Sequence, residues 1–309
     1  MLTTEQLEQR KNYITGSDAS GICGMSKWRT PVQIWLEKTN RMEAEDISHL
    51  DHIKFGNYME DGVADWFVAE TGKKLKPKSN TMIVHPEHKW MSGNLDFEID
   101  GENAILECKT ALRDTEWGEG SDDIPREYLL QVAHYCAVGN FDRAYIAVVF
   151  VMKRQMRVYT YERNVDLEVK LIAKEQAFWN NHIVADVQPE PTTEKDIDTL
   201  FSVPATTASY ASVEQEELVK QYAQLKASIK ASEDKMELVR DSICAYMKDS
   251  ELLLTTSGES LIRWKFKKGS RLFDKARFTE ENPELAAKYI KIGAAGRNFS
   301  VTMKGKGDS

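Results

Sequence analysis

The stretch Asn94-Leu95-Asp96-Phe97-Glu98-Ile99-Asp100-Gly101-Glu102-Asn103-Ala104-Ile105-Leu106-Glu107-Cys108-Lys109-Thr110 decides the fold. Asp100 to Asn103 is a turn signal between two β-prone runs, so the chain is expected to fold back as a hairpin with Ala104 to Thr110 as the return strand. Side chains two apart on a strand face one side. Glu107 and Lys109 therefore point together, while Cys108 points the other way, into the interior. Asp96 stands at the end of the outgoing strand. Two carboxylates on paired strands can converge on a hard cation, with the Cys108 carbonyl as a further oxygen. A lysine beside them can polarise a water and offset charge building on a phosphate. These are the parts needed to hydrolyse a phosphodiester.

The pattern extends in both directions. Upstream, Ile53, Met59, Val63, Phe67 and Val68 recur at helical spacing between His49 and Thr71, with Gly72 as the C-cap, and this helix carries Glu60. Downstream, Pro125 opens a helix to about Val138, on which Gln131 and Tyr135 lie four apart and share a face. Tyr145 to Val151 is the apolar run of a buried central strand. Met156 to Glu162 pairs with it, and Asn164 caps a further helix to about Ile183. Nearer the N-terminus, Glu5 to Lys11 reads as a short helix. Thr15-Gly16-Ser17-Asp18 offers the N-cap of a second, and Pro31 opens a third that runs to about Lys38. The expected class is α/β (α+β): a central mixed sheet flanked by helices, an αβββαβ-type core, plus a C-terminal helical and β appendage.

Val187 to Ser212 is rich in Pro, Thr and Ser and reads as a linker. The organisation expected is a domain over 1–187, a linker over 188–212 and a C-terminal unit over 213–309. That unit starts with a long amphipathic helix, Val213 to about Met247, with Leu218, Tyr222, Leu225, Ile229, Met236, Val239, Ile243 and Tyr246 on its apolar face. Packing on its own unit and packing on a partner helix both suit this face. A small hairpin around Gly258 and a basic run from Arg263 to Arg277 follow.

The chain has 309 residues and a net charge of −8, which argues against a protein that coats itself with DNA but leaves room for a local basic track. No apolar run approaches the roughly 18–20 residues of a membrane span, and the N-terminus lacks a secretory pattern, so a cytoplasmic protein is expected. The four cysteines are scattered, which fits reduced thiols and not an iron–sulfur cluster. His85 and His88 flank Pro86 in a surface turn, and His134 packs. Trp28, Trp35, Trp66 and Trp90 read as core residues or loop anchors, with Trp28 the one that could stack on DNA. Lys73, Lys74, Lys76 and Lys78 read as a solvated face that could track phosphates beside a site of this kind.

Five short elements in order, Gly16-Ser17-Asp18-Ala19, Gly56-Asn57-Tyr58-Met59-Glu60, Asn94-Leu95-Asp96, Glu107-Cys108-Lys109 and Gln131-Val132-Ala133-His134-Tyr135, resemble the PD-(D/E)xK nuclease superfamily. Within it they are most similar to the YqaJ-type viral recombinase nucleases related to phage lambda exonuclease. Asn94-Leu95-Asp96 replaces the superfamily's Pro-Asp. The resemblance implies that Asp96, Glu107 and the Cys108 carbonyl bind Mg²⁺, with Mn²⁺ as a substitute, and that Glu60 completes the site directly or through water. It implies that Lys109 positions the attacking water, and that Gln131 and Tyr135 orient the lysine or touch the DNA strand. By the same resemblance Arg10 and Ser17 read a 5′-phosphate. The implied activity is a 5′→3′ exonuclease on double-stranded DNA ends that leaves 3′ single strands for phage-type recombination. A single-strand annealing protein would be its partner, and a homo-oligomeric trimer ring its assembly. An endonuclease, a 3′→5′ enzyme on the same site and a non-catalytic DNA-binding scaffold remain the alternatives.

Overall fold

The computed structural model describes residues 8–79, 81–202, 208–291 and 297–301. Two units divide the chain, Met1–Leu200 and Phe201–Ser309. In the first, Ile14–Thr15 (β1) leads into Gly16–Ile22 (α1), Pro31–Lys38 (α2) and Asp51–Thr71 (α3). Short strands Ile83–Val84 (β2), Met91–Gly93 (β3) and Phe97–Glu98 (β4) precede Ala104–Ala111 (β5) and Arg126–Gly139 (α4). Arg143–Phe150 (β6), Gln155–Glu162 (β7), Val165–Phe178 (α5), a π-helical turn at Trp179–Val184 and Glu194–Leu200 (α6) complete it.

Local chemistry sets most of these boundaries. Thr30 accepts from the Gln33 backbone N–H while the Gln33 side chain reaches back to Thr30, a reciprocal cap with Pro31 in the first turn. Asn164 caps α5 by accepting from the Leu167 N–H at 3.0 Å. Of the expected helix over Glu5 to Lys11, only the part from Glu8 onward lies within the described residues.

The central sheet runs β4-β5-β6-β7, with β5 parallel to β6 and the outer pairs antiparallel. Strand β6 is apolar nearly throughout because both its faces are covered. Ala144, Ile146, Val148 and Phe150 pack on the side of α4, with Ile105, Val132, Ala133 and Cys136. Tyr145, Ala147 and Val149 pack on the side of α3, with Leu106, Val63, Ala64 and Phe67. The helix α4 is the crossover that the parallel β5–β6 pair requires.

Two expectations change here. The β-prone run that leads to the Asp100 turn breaks in two: β3 joins a separate small sheet of order β1-β3-β2, and β4 joins the central one. Asp96 therefore sits in the bend just before β4 and not at the end of a strand. The segment expected as a linker over 188–212 is folded onto this unit as far as Leu200. Asp196 of α6 is fully buried, accepting from the Thr30 hydroxyl at 2.6 Å and from Thr192 and Thr193 backbone N–H groups. Leu200 also joins the cluster of Ile34 and Trp35. The carboxylate and its hydroxyl partners anchor a stretch whose composition alone resembles an unstructured connector.

His134 of α4 is fully buried, as the packing reading expects. Its Nδ1 lies 2.9 Å from Glu175 of α5 and its Nε2 2.9 Å from the Ser92 carbonyl. The Ser92 carbonyl is an acceptor and the Glu175 carboxylate can be one, so a doubly protonated imidazole would satisfy both. Burial works against that charge, but Glu175 and the Ser92 carbonyl outweigh it and raise the pKa above the usual histidine value. A raised folded-state pKa means that the stabilisation is complete below the unfolded value of about 6.5 and is lost as pH rises through the folded one. Denaturant titrations from pH 6 to pH 9 are expected to show the stability gap between the natural chain and His134→Ala narrowing as pH rises. A gap that stays constant would refute the charged pair.

In the second unit, Val213–Met247 (α7) is followed by the hairpin Leu252–Leu254 (β8) and Ser260–Arg263 (β9). Lys275–Glu281 (α8) and Pro283–Lys288 (α9) come next. No helix among the described residues is long and apolar enough to cross a membrane.

Candidate active site

Strand β5 begins in the core and turns polar at its end. Ala104, Ile105 and Leu106 are buried, Glu107 is 4% exposed, and Cys108 onward is partly open. The Cys108 side chain packs with the cluster under α3, which leaves Glu107 and Lys109 together on the α4 side. Asp96 reaches across from the bend before β4, and its Oδ2 accepts from the Cys108 backbone N–H at 2.8 Å.

Glu107 is the hub. Its Oε1 accepts from Lys109 Nζ at 2.5 Å and from Gln131 Nε2 at 2.7 Å. Gln131 Nε2 also lies 3.1 Å from the Tyr135 hydroxyl oxygen. The face shared by Gln131 and Tyr135 on α4 is thus turned to β5. Lys109 Nζ rests over the ring of Tyr128 at 5.6 Å. The loop before α4 fixes that ring: buried Trp117 stacks on Tyr128 with centroids 5.0 Å apart, and Asp114 binds Lys153 and Arg157. Sequence reasoning did not single out Tyr128. Its position three residues before Gln131, and so on a neighbouring part of the same face, was the available signal.

The electrostatics are those of crowded acids. Burial, and then the neighbouring charge of Glu107, push the Asp96 carboxyl up to about 8, with Glu60 adding to the effect and Lys109 opposing it. Burial disfavours the Lys109 ammonium, but Glu107 and Asp96 outweigh it and lift its pKa above the usual lysine range. Glu60 comes near without joining. It lies on α3 close enough to raise Asp96, yet its side chain is bound to Lys78. Among the described residues no three histidine, cysteine or carboxylate side chains gather as a ready cage for a cation. The lysine run read as a possible phosphate track is largely committed elsewhere: Lys73 pairs with Glu102, Lys76 with Glu98 and Lys78 with Glu60.

Arg10 and Ser17 are brought together. Arg10 Nη2 donates to Ser17 Oγ at 2.5 Å and to Thr15 Oγ1 at 3.2 Å. Beneath them Asp18 is fully buried and accepts from the Thr15 N–H and hydroxyl, from Lys38 at 2.7 Å and from Arg29. Lys38, whose side chain is also buried, reaches the Arg10 carbonyl at 2.9 Å. Sequence reasoning took Asp18 as part of a cap and of the Gly16-Ser17-Asp18-Ala19 element, gave it no role of its own, and missed Lys38. A lysine at the end of a helix gives no sign that it turns inward.

Tyr135 joins this cluster to the hub. A Cβ at Gly16 would lie 2.5 Å from the tyrosine ring, and one at Gly93 2.8 Å from it. The ring occupies space that only two glycines leave free, next to Ser17 on one side and Gln131 on the other. Trp28 departs from its expected reading: it is 63% exposed, neither core nor anchor. Its neighbours hold the loop instead, Lys27 through Glu116 and Arg29 through Asp18 and Glu37.

Residues 5–142 match the profile of the YqaJ-like viral recombinase domain. The chain is 32% identical over 268 residues to the uncharacterized protein YqaJ of Bacillus subtilis (strain 168), covering 81% of this chain and 80% of that one. Among solved structures it is similar to the LHK-Exo complex with dAMP (TM-score 0.48, 15% identity, 65% of this chain and 97% of that one). LHK-Exo is described as an alkaline exonuclease from Laribacter hongkongensis. A phage related exonuclease from Haemophilus somnus 129PT is also similar (TM-score 0.42, 14% identity, 57% and 96%). With a relative this similar over most of both chains, the protein belongs to the YqaJ-like viral recombinase family.

Proposed function

We propose that the protein is a divalent-metal-dependent exonuclease that degrades linear double-stranded DNA 5′→3′ and leaves a 3′ single strand for phage-type recombination. One observation carries this reading: Arg10 and Ser17, the pair suited to a terminal phosphate, and Glu107 with Lys109, the pair suited to hydrolysis, are joined through Tyr135 and Gln131. A DNA end gripped at the first pair would present an adjoining phosphodiester to the second.

The donor set suits a hard cation. Asp96 and Glu107 offer carboxylate oxygens, the Cys108 carbonyl can add another, and a cation there would offset the burial and then the Glu107 charge that raise the Asp96 carboxyl. Glu60, whose charge acts on Asp96, would complete the donor set directly or through water once released from Lys78. A bound Mg²⁺, or Mn²⁺ in its place, would supply Lewis acidity at the scissile phosphate. Lys109 then holds the attacking water with its ammonium and offsets charge on the phosphate oxygens, while Glu107 and the Tyr128 ring fix its position. Gln131 fixes Glu107 in turn. The exposed indole of Trp28 offers a stacking face for a base near the entrance. A single-strand annealing protein is the partner such a product calls for, and a ring of subunits around the duplex would keep the enzyme on its substrate.

The test is digestion of end-labelled duplex with and without Mg²⁺, comparing 5′-phosphorylated linear, 5′-hydroxyl linear and covalently closed DNA. Metal-dependent loss of linear DNA, faster with the 5′-phosphate, is expected. Digestion of closed circles would point to an endonuclease on the same site, and no digestion at all to a DNA-binding scaffold.

A further inference from the structure

The helix Val213–Met247 is continuous over 35 residues, about 52 Å at 1.5 Å per residue. Within its own unit it buries only Met247. Its apolar face is a seam of alternating four- and three-residue steps: Leu218, Tyr222, Leu225, Ile229, Ser232, Met236, Val239, Ile243 and Tyr246. That is the heptad pattern of a coiled coil sustained over four repeats. Ile243 is half-buried, and the other apolar members are between 44% and 77% exposed. At the centre a shallow groove is lined by Leu225, Ser228, Ile229, Ser232, Glu233 and Met236. Tyr222 meets the chain's own Phe299, ring centroids 5.2 Å apart.

We infer that this seam pairs antiparallel with the same helix of a second copy of the chain. The charges beside the seam decide between occupants and directions. Flanking positions carry Lys226, Glu233 and Arg240 on one edge and Gln221, Ser228, Lys235 and Ser242 on the other. A parallel pair would stack Ser232 on Ser232 and set Lys235 against Arg240 of the second copy, a like-charge contact made twice. An antiparallel pair centred between Lys230 and Ala231 avoids both. Leu218 then meets Ile243 of the second copy, Tyr222 meets Val239, Leu225 meets Met236, and Ser232 is covered by Ile229. On the flanks Lys226 faces Glu233 twice, while Lys235 faces Ser228. Among the described residues neither Lys226 nor Glu233 has an ion pair within its own chain, so both are available. Two-fold symmetry closes the contact at two copies.

Light scattering on the full-length protein tests this through charge reversal. Glu233→Lys sets lysine against Lys226 at both flanks and is expected to weaken association by at least about tenfold, halving the mass at low micromolar concentration. Lys226→Glu combined with Glu233→Lys restores the pair and should restore the mass. Halving makes no assumption about assembly by the other unit. A parallel pair would set Glu233 against Ser228 and would not respond in this way. A mass unchanged by Glu233→Lys, as when the chain's own C-terminal segment covers the seam, or a double variant that fails to recover, overturns the inference.

Discussion

Lys109→Ala is expected to lower metal-dependent digestion of linear duplex by two to three orders of magnitude, the range typical when one preorganised stabiliser of transition-state charge is removed. The loss arises twice over. The ammonium that would polarise the water and meet the phosphate is gone, and Glu107 keeps only Gln131 as a partner. The Lys109 side chain reaches solvent and Glu107 keeps Gln131 as a hydrogen-bond partner, so the fold should survive, as circular dichroism would check. Affinity for duplex ends, measured without metal, should change far less than the rate, because the Arg10–Ser17 pair is untouched. A digestion rate within tenfold of the natural protein would sink the proposed role of Lys109.

Asp18→Ala carries the largest expected effect on stability. Burial alone would raise the Asp18 carboxyl, but Lys38, Arg29 and Arg10 outweigh burial and hold it well below the usual carboxylate range. Removing one partner of a buried ion pair leaves the other uncompensated, which costs about 3–5 kcal/mol. Here the orphan is Lys38, with a side chain only 5% exposed. Lys38→Met should cost less, because Asp18 keeps Arg29. The pH dependence follows from the depressed value. The stabilisation from Asp18 is present above its unfolded pKa of about 3.9 and is lost as pH falls through the folded one. Urea titrations at pH 7 and at about pH 3, below the unfolded value, check the order of the two variants and the narrowing of the Asp18→Ala deficit in acid. A loss under about 1 kcal/mol for Asp18→Ala at pH 7 would show that the ion pair does not hold this part of the fold together.

The central sheet and its covering helices were legible because their signals are local: the Asp100–Asn103 turn, the apolar run of β6, and the caps at Gly72 and Asn164. Alternation along β5 likewise sufficed to place Glu107 with Lys109 and to turn Cys108 away. What escaped notice depends on partners distant in sequence. Lys78 is claimed by Glu60, Asp196 by Thr30, and Lys38 by the Arg10 carbonyl and Asp18. Spacing carries no trace of such pairings, since a hydrogen bond across 166 residues has no period. The break before Asp96 was hidden for a related reason. β3 and β4 each find a different sheet, and that choice is tertiary.

The pairing of β5 bears on how the chain is made. All eight residues of β5 pair with β6, whereas β4 covers only Ile105 and Leu106 on the other side. From Glu107 onward the only strand paired with it among the described residues is β6, added after Asp142, and on the other edge only the Asp96 carboxylate meets the Cys108 N–H. Every candidate site residue from Arg10 to Tyr135 has been synthesised by then, yet the strand that carries Glu107 and Lys109 still has an open edge. During translation that edge is a template for the wrong neighbour until β6 emerges and docks. The site is thus complete in composition well before it is complete in structure, and the timing of β6 separates the two.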